Sequence, residues 1–321
     1  MAEFSIIEKY FTSLGREHSD TSLSVGDDAA IISVPDGFEM VVSVDTMTEG
    51  IHFFEGLSPE LLAHKLLAVN LSDMAAMGAR PKWVTLAMGL SSHDEQWLKR
   101  FSETFDKVAK AHGVQLIGGD TTEGPLVLSL TIMGLLPKGM SMQRSKAAVG
   151  DDIYCSGYIG DAALALTKLL GEQNLTDDVF SDVLPALHMP QPQVTLGQRL
   201  LGQVSCCIDL SDGLIGDGEH IAQQSGVSLE IEIRSLPISD AYRQYLKEGG
   251  FIKYAIAGGD DYQLLFTAPQ GKESTFEKMA KELDVKITKI GRVTKQGDTL
   301  VQLLDDGKPS LTKLKAFQHF R

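Results

Sequence analysis

Cysteine is scarce in this chain, with Cys155, Cys206 and Cys207 the only three among 321 residues. They supply no disulfide framework and no paired metal-ligand spacing. Adjacent Cys206 and Cys207 lie inside an apolar run and read as small buried hydrophobes. Basic residues are outnumbered, 29 Lys and Arg against 43 Asp and Glu, and the net charge of −14 argues against general affinity for nucleic acid or anionic membrane. No apolar run approaches the ~18 residues that cross a bilayer. Met1-Ala2-Glu3-Phe4 lacks the basic and apolar regions of a signal peptide. Neither G-x-x-x-x-G-K-[ST] nor G-x-G-x-x-G occurs, so any nucleotide would be held without a Walker or Rossmann loop. These absences lead to the expectation of a reduced, soluble, cytoplasmic protein, long enough for two domains.

What the chain has in excess is aspartate at the ends of apolar runs. Four such runs finish in this way: Val41 to Asp45, Gln115 to Asp120, Cys206 to Asp212 and Tyr254 to Asp261, several with glycine beside the acid. A carboxylate at the end of a buried strand is costly unless something positive meets it. With few basic motifs nearby, the simplest charge balance is several divalent cations with a polyphosphate between them. That points to phosphoryl transfer.

Periodicity places a short amphipathic helix over residues 5–14 and strands near 28–34 and 39–46, around the turn Pro35-Asp36-Gly37. Ser58-Pro59-Glu60 is a helix start, and Gly78 with Pro81 marks its end. Strands follow near 82–90, 114–118 and 126–136, with a helix over 94–112. The stretch 138–150 reads as a linker between an N-terminal domain, residues 1–137, and a C-terminal domain, residues 151–321. There a strand over 152–156, a Gly157/Gly160 turn and a helix through Leu170 are expected. Residues 227–233 alternate as a half-buried antiparallel strand. Both halves mix helix and strand, so the fold class is α/β of the α+β type in two domains.

Each acidic motif has a plain reading beside the chemical one. Gly26-Asp27-Asp28 alone is a solvated turn entering a strand. Pairing with Asp45 on the next strand favours a shared carboxylate site. Asn70 and Asp73 share a face of an otherwise apolar helix, either as a satisfied polar pair or for metal ligation. The poor fit of Asp to a helix interior favours ligation. Gly118-Gly119-Asp120 is equally a tight turn and a phosphate cradle with a metal-sharing acid. Lys146 reads as a solvated charge, while Arg144 is evenly balanced between solvent and a phosphate contact. Asp209-Leu210-Ser211-Asp212 sits at a strand-to-helix turn, where Ser211 can meet phosphate at the helix N-terminus or simply cap it. His52, standing alone, takes no role from its position.

Taken together these residues resemble the thiamine-monophosphate kinase family. The resemblance is carried in order by Gly26-Asp27-Asp28-Ala29, Val44-Asp45-Thr46 with Gly50-Ile51-His52-Phe53, Asn70 to Gly78, and Ile117 to Thr121. It continues through Arg144-Ser145, Ile208 to Leu214, Gly258 to Tyr262, and the closing Phe317-Gln318-His319-Phe320. It implies the two-domain architecture of the aminoimidazole-ribonucleotide-synthetase-like (PurM-like) superfamily, with an N-terminal domain that forms a homodimer. It also implies Mg2+-dependent transfer of the ATP γ-phosphoryl to thiamine monophosphate, the last step of thiamine diphosphate synthesis. Asp28, Ser43, Asp45, Asp73, Asp120, Asp209 and Asp212 would hold magnesium ions. Gly119, Asp120, Arg144 and Ser211 would contact ATP, and His52, Asp260 and Phe317 the thiamine phosphate. Val44, Asp260 and Phe317 depart from residues common at those places, a hydroxyl, a glutamate and a tyrosine or tryptophan.

No side chain looks like a nucleophile poised by a base, and a phosphate monoester oxygen needs none. Direct in-line transfer with no catalytic nucleophile is therefore the expected mechanism. The alternative is a related ATP-dependent synthetase working through an acyl or iminophosphate intermediate.

Overall fold

The computed structural model describes residues 3–91 and 94–310. These fall into two units: the chain up to Met74 with Ala79–Met140, and Ala75–Gly78 with the chain from Ser141 onward. The first unit begins with α1 (Glu3–Tyr10) and two short strands, β1 (Thr21–Leu23) and β2 (Ile31–Ile32). It continues through β3 (Phe38–Thr48), α2 (Pro59–Met77), β4 (Arg80–Leu90), α3 (Glu95–Ala111), β5 (Gln115–Glu123) and β6 (Val127–Pro137). Its sheet has the order β3-β6-β4-β5, antiparallel except for the β4–β5 pair.

Helix α2 starts and stops as its sequence dictates. The Ser58 Oγ accepts from the Leu61 N–H at 3.4 Å, and Pro59 loses no hydrogen bond at the first helical position. At the other end Gly78 is left-handed (φ 72). Its N–H donates to Ala75 O while that of Ala79 reaches Met74 O, a Schellman closure. Nearly every side chain of α2 between Leu62 and Ala76 is buried, including Asn70 and Ser72, the pattern of a helix enclosed on all sides. A Cβ at Gly134 of β6 would stand 2.8 Å from Met74 Sδ, so that glycine sets how closely α2 approaches the sheet. Helix α3 is amphipathic instead, burying Leu98, Phe101, Phe105 and Ala109, and Asp94 caps it by accepting from the Gln96 N–H at 2.8 Å.

The N-terminal strands are fastened across the sheet by a small polar network. The Trp83 Nε1–H donates to Thr21 Oγ1 at 2.8 Å, and that hydroxyl donates to Gln115 Oε1 at 2.9 Å. Lys82 and Asp20 form a largely buried ion pair at 2.5 Å. Trp83, Ile117 and Leu135 close a small apolar cluster with Ala30 and Ile32.

The second unit contains β7 (Asp152–Ser156), α4 (Asp161–Leu169), α5 (Asp177–His188), α6 (Val194–Leu200), β8 (Cys206–Asp209), α7 (Leu214–Ser225) and β9 (Val227–Glu232). Then come α8 (Asp240–Lys247), α9 (Lys253–Ala257), β10 (Leu264–Ala268), α10 (Glu273–Leu283), β11 (Ile287–Lys295), β12 (Val301–Asp305) and β13 (Lys308–Pro309). The seven-stranded sheet has the order β13-β12-β9-β11-β7-β10-β8. Its core holds Tyr154 stacked on Phe266 at 5.4 Å and Phe276 edge-on to Phe266 at 5.3 Å.

Several elements differ from the sequence expectation. The first helix covers Glu3–Tyr10 rather than 5–14, and β2 shrinks to Ile31–Ile32. Asp45 lies inside β3 rather than at its end, which is tolerable because β3 is an edge strand with Asp45 half-buried. Strand β5 runs on through Gly118, Gly119 and Asp120 to Glu123, so these residues form no turn. Tyr254 to Ala257 is helical, not a strand; four apolar residues carry no period that separates the two. Strand β9 is antiparallel to β11 but parallel to β12, and Ser228 is buried with its hydroxyl bonded to Thr299 O. Within 138–150, Arg144–Lys146 forms a 3-10 turn.

Phe266 tests the second core. Phe266→Ala removes a fully buried ring from the Tyr154–Phe276 cluster, and a loss of about 3–5 kcal/mol is expected. Calorimetric unfolding checks it, and a loss below about 1 kcal/mol would mean that the cluster can collapse around the gap.

Candidate phosphoryl-transfer site

In the first unit, alternation along β3 puts Ser43, Asp45 and Met47 on one face of the sheet, and Val42, Val44 and Thr46 on the other. The first face carries α2: Ser43 Oγ donates to Asp73 Oδ2 at 2.5 Å. Ser43, Asp45 and Asp73 therefore share one face. One turn before Asp73, Asn70 is completely buried; its Nδ2 donates to Leu66 O at 2.9 Å, while its Oδ1 has no hydrogen-bond partner among the described residues.

Asp120 is placed differently. Across the sheet the register aligns Thr46, Ser129, Ala87 and Asp120, and the row beside it aligns Asp45, Leu130, Leu86 and Gly119. Asp45 and Asp120 stand on the two edge strands, three strand spacings or roughly 14 Å apart, on opposite faces. The unit thus brings Asp45 toward Asp73 and keeps Asp120 separate. A Cβ at Gly119 would stand 1.9 Å from Leu86 O, so β5 needs this glycine in order to pair with β4. Asp28 is exposed in the loop before β2, its N–H donating to Asp27 Oδ1 at 2.8 Å. His52 sits in a tight turn after β3, where its Nδ1 accepts the Thr48 N–H at 3.0 Å.

In the second unit two loops are joined backbone to backbone. Strands β8 and β10 pair with Asp209 opposite Leu264, and the pairing continues beyond their ends. Leu210 N–H donates to Gln263 O (2.8 Å), Tyr262 N–H to Leu210 O (2.8 Å) and Asp260 N–H to Ser211 O (3.0 Å). There is no room for side chains in the seam: a Cβ on Gly259 would stand 2.2 Å from Ser211 O, and one on Gly213 (φ +95) 2.6 Å from Gly258 O. The seam brings Asp209, Ser211, Asp212 and Asp260 together. Asp217, in the first turn of α7, accepts the N–H groups of both Ser211 and Asp212 at 3.0 Å. Burial, with Asp209 and Asp212 adding like charge, pushes the Asp217 carboxyl up to about 8. Arg144 is exposed, and its carbonyl accepts from Ser225 Oγ at 2.8 Å. Phe317 lies outside the described residues.

Sequence reading missed Asp217, Asp261 and Gln263. Asp217 resembles any first-turn acid of a helix, and only its bonds to Ser211 and Asp212 reveal its role. Asp261 and Gln263 lie in or beside a motif already singled out, masked by the more exposed Asp260.

The donor set is carboxylate and hydroxyl oxygen, hard ligands that suit Mg2+. Among the described residues no group of three or more His, Cys, Asp or Glu converges to hold a metal. Magnesium commonly takes one or two carboxylates and completes its shell with phosphate and water, so the pairs seen here fit that ion.

This architecture belongs to a defined class. The N-terminal domain of AIR synthase related protein matches residues 26–136, and the C-terminal domain of the same family matches residues 148–303. Over its whole length the chain is 42% identical to the thiamine-monophosphate kinase of Haemophilus influenzae, covering 98% of that protein. It is 34% identical to that of Bacillus subtilis, with both chains covered in full. The solved thiamine-monophosphate kinase of Stenotrophomonas maltophilia superposes with a TM-score of 0.84 at 41% identity, over 92% of this chain and 93% of that one. A solved structure of AaThiL complexed with AMPPCP and TMP gives 0.77 at 29% identity, over 93% of each chain. The chain belongs to the thiamine-monophosphate kinase family.

The backbone seam makes a direct prediction. Gly259→Ala forces the two loops apart and is expected to cost about 1–3 kcal/mol, the scale of overpacking. Gly297→Ala in the same unit, whose Cβ would meet only Ser228 Oγ at 4.0 Å, serves as the control. Equal melting temperatures for the two variants would contradict a tight seam.

Proposed function

We propose that this chain transfers the γ-phosphoryl of ATP to the phosphate of thiamine monophosphate, giving thiamine diphosphate and ADP. The observation that carries the reading is full-length membership of the kinase family, with the acidic motifs of both units present in order. The related synthetase chemistry is not favoured, because the relatives matched over the whole chain are kinases.

In this reading Asp28, Ser43, Asp45, Asp73, Asp120, Asp209 and Asp212 hold magnesium. Bound there, magnesium would supply charge neutralisation for the phosphates. Gly119, Asp120, Arg144 and Ser211 receive ATP, with Ser211 fixed by the bond from its N–H to Asp217. Asp260, restrained by the Tyr262 hydroxyl at 3.2 Å, orients the acceptor. His52 accepts the Thr48 N–H through Nδ1, so a neutral ring carries its proton on Nε2, a donor suited to the substrate phosphate. The Asp120 and Asp45 positions imply separate ions rather than one shared ion.

No covalent phosphoenzyme is part of the scheme. The acceptor phosphate oxygen is already nucleophilic, and the three thiols are poor substitutes. Cys155, Cys206 and Cys207 are buried, burial pushing Cys206 up to about 12 and the other two well above their ordinary value. The enzyme's task is to align two anions in line and offset their repulsion. This reading includes a cytoplasmic location, where ATP and reduced thiols coexist; among the described residues no helix is long and apolar enough to cross a membrane.

We also propose a homodimer formed through the first unit. Val42 and Val44, adjacent on the outer face of β3, are 58% and 59% exposed, a row of apolar side chains on an edge strand that association would bury. Val44→Glu is expected to shift the mass in light scattering from dimer to monomer; a wild-type protein that is monomeric at all concentrations would end this part of the proposal.

The reaction is tested by coupled ADP release with magnesium. Thiamine monophosphate is expected to support turnover and free thiamine to be a poor acceptor, since it lacks the phosphate to be phosphorylated. Asp45→Asn is expected to lower kcat by ~10² or more, the scale of losing a charge stabiliser of the transition state. Equal use of free thiamine, or near-normal turnover by Asp45→Asn, would overturn the assignment of acceptor or of metal ligand respectively.

A further inference from the structure

We propose that Asp261 is a positioning residue whose buried carboxyl pins the 260–262 turn to the Gly157–Gly160 loop and thereby aims Asp260 at the thiamine phosphate. The proposal rests on the reading of Asp260 as a substrate contact.

The turn needs such a pin. Asp260 and Tyr262, on either side of Asp261, both lie in the left-handed region, at φ 69 and φ 49. A left-handed conformation is unfavourable for a residue with a side chain, above all for a tyrosine, and it persists only where the surroundings over-determine it. Two observations show what holds it. On the backbone side, Asp260 and Tyr262 N–H groups bond to Ser211 and Leu210 carbonyls. On the side-chain side, Asp261 Oδ1 accepts the Gly160 N–H at 2.8 Å. Gly160 is packed closely on a neighbouring backbone, since at φ +90 a Cβ there would stand 2.6 Å from Ala255 Cα. The Asp261 side chain therefore links this closely packed loop to the strained turn.

The second oxygen, Oδ2, is buried with no hydrogen-bond partner among the described residues. That fits a neutral acid: burial pushes the carboxyl well above its ordinary value, and nearby Asp161, Asp260 and Asp217 act in the same direction. With Asp261 in place the left-handed turn brings Asp260 Oδ1 within 3.2 Å of the Tyr262 hydroxyl, fixing the carboxylate from its own turn. On the ATP side of the seam, Ser211 and Asp212 have a separate anchor, the Asp217 carboxylate that accepts both of their N–H groups. Loss of the pin is expected to disturb the acceptor and spare ATP.

Steady-state kinetics on the full chain tests this. Asp261→Asn keeps both the volume and the acceptor for Gly160, and its KM for thiamine monophosphate is expected to stay within about threefold of wild type. Asp261→Ala removes the acceptor and is expected to raise that KM about tenfold or more, with KM for ATP within about threefold. If the alanine variant does not accumulate as folded protein, Asp261→Ser, too short to reach Gly160, is read in the same way. Asp260→Ala in parallel separates the two levels of inference. If Asp260→Ala leaves KM for thiamine monophosphate unchanged, the underlying reading fails. If Asp260→Ala raises it while the shortened Asp261 variants do not, or if Asp261→Asn is as impaired as they are, the positioning role is overturned.

Discussion

The seam between the residues after β8 and the residues before β10 is the constraint on which the acidic loops of the second unit depend. Two antiparallel strands end in acidic loops, and main-chain hydrogen bonds carry their pairing three steps further, through Leu210, Tyr262 and Asp260. Such close approach depends on missing side chains at Gly213 and Gly259. Glycine here serves close backbone approach more than phosphate access. Asp209 is held by its own strand, Asp260 by the Ser211 carbonyl across the seam, and Asp212 by the bond from its N–H to Asp217. The resulting concentration of negative charge appears directly in Asp217, which burial and its two neighbours hold far above the ordinary carboxylate range.

The two units meet the problem of many carboxylates in different ways. In the first, Asp45 and Asp120 sit on the edge strands of the sheet, half-buried and exposed. In the second, Asp209, Asp217 and Asp261 are buried, and two of them reach an arrangement in which the neutral form is favoured. An edge strand leaves an acid partly in water, whereas burial in the interior favours its neutral form.

Much of this was legible in the residues. Ser58, Pro59 and Gly78 fixed α2 because capping and left-handed closure are local rules, carried by one or two side chains each. Strands β4 and β6 followed from apolar runs long enough to show a period. The short elements did not: Tyr254 to Ala257 has no readable period, and the extension of β5 through Gly118 and Gly119 runs against the usual meaning of paired glycines. Pairing with β4 overrides it, since Gly119 lies against Leu86 O where no other residue fits.

The site was legible as a set of motifs and illegible as a geometry. The aspartates could be named from the sequence, since few other functions place so many oxygen donors beside glycine in order. Their grouping could not, because it depends on strand order: β6 and β4 separate the strands of Asp45 and Asp120, and register sends those side chains to opposite faces. The residues that orient the named ones were hidden for the same reason. Asp217 acts through N–H groups of the loop just before its own helix and Asp261 through one of a distant loop, and a single sequence carries no mark of which N–H a buried carboxyl will meet. Direct contacts with a phosphate select residue types that can be recognised. Support for those contacts selects only shape and an acceptor in the right place, which the fold reveals and the residue string does not.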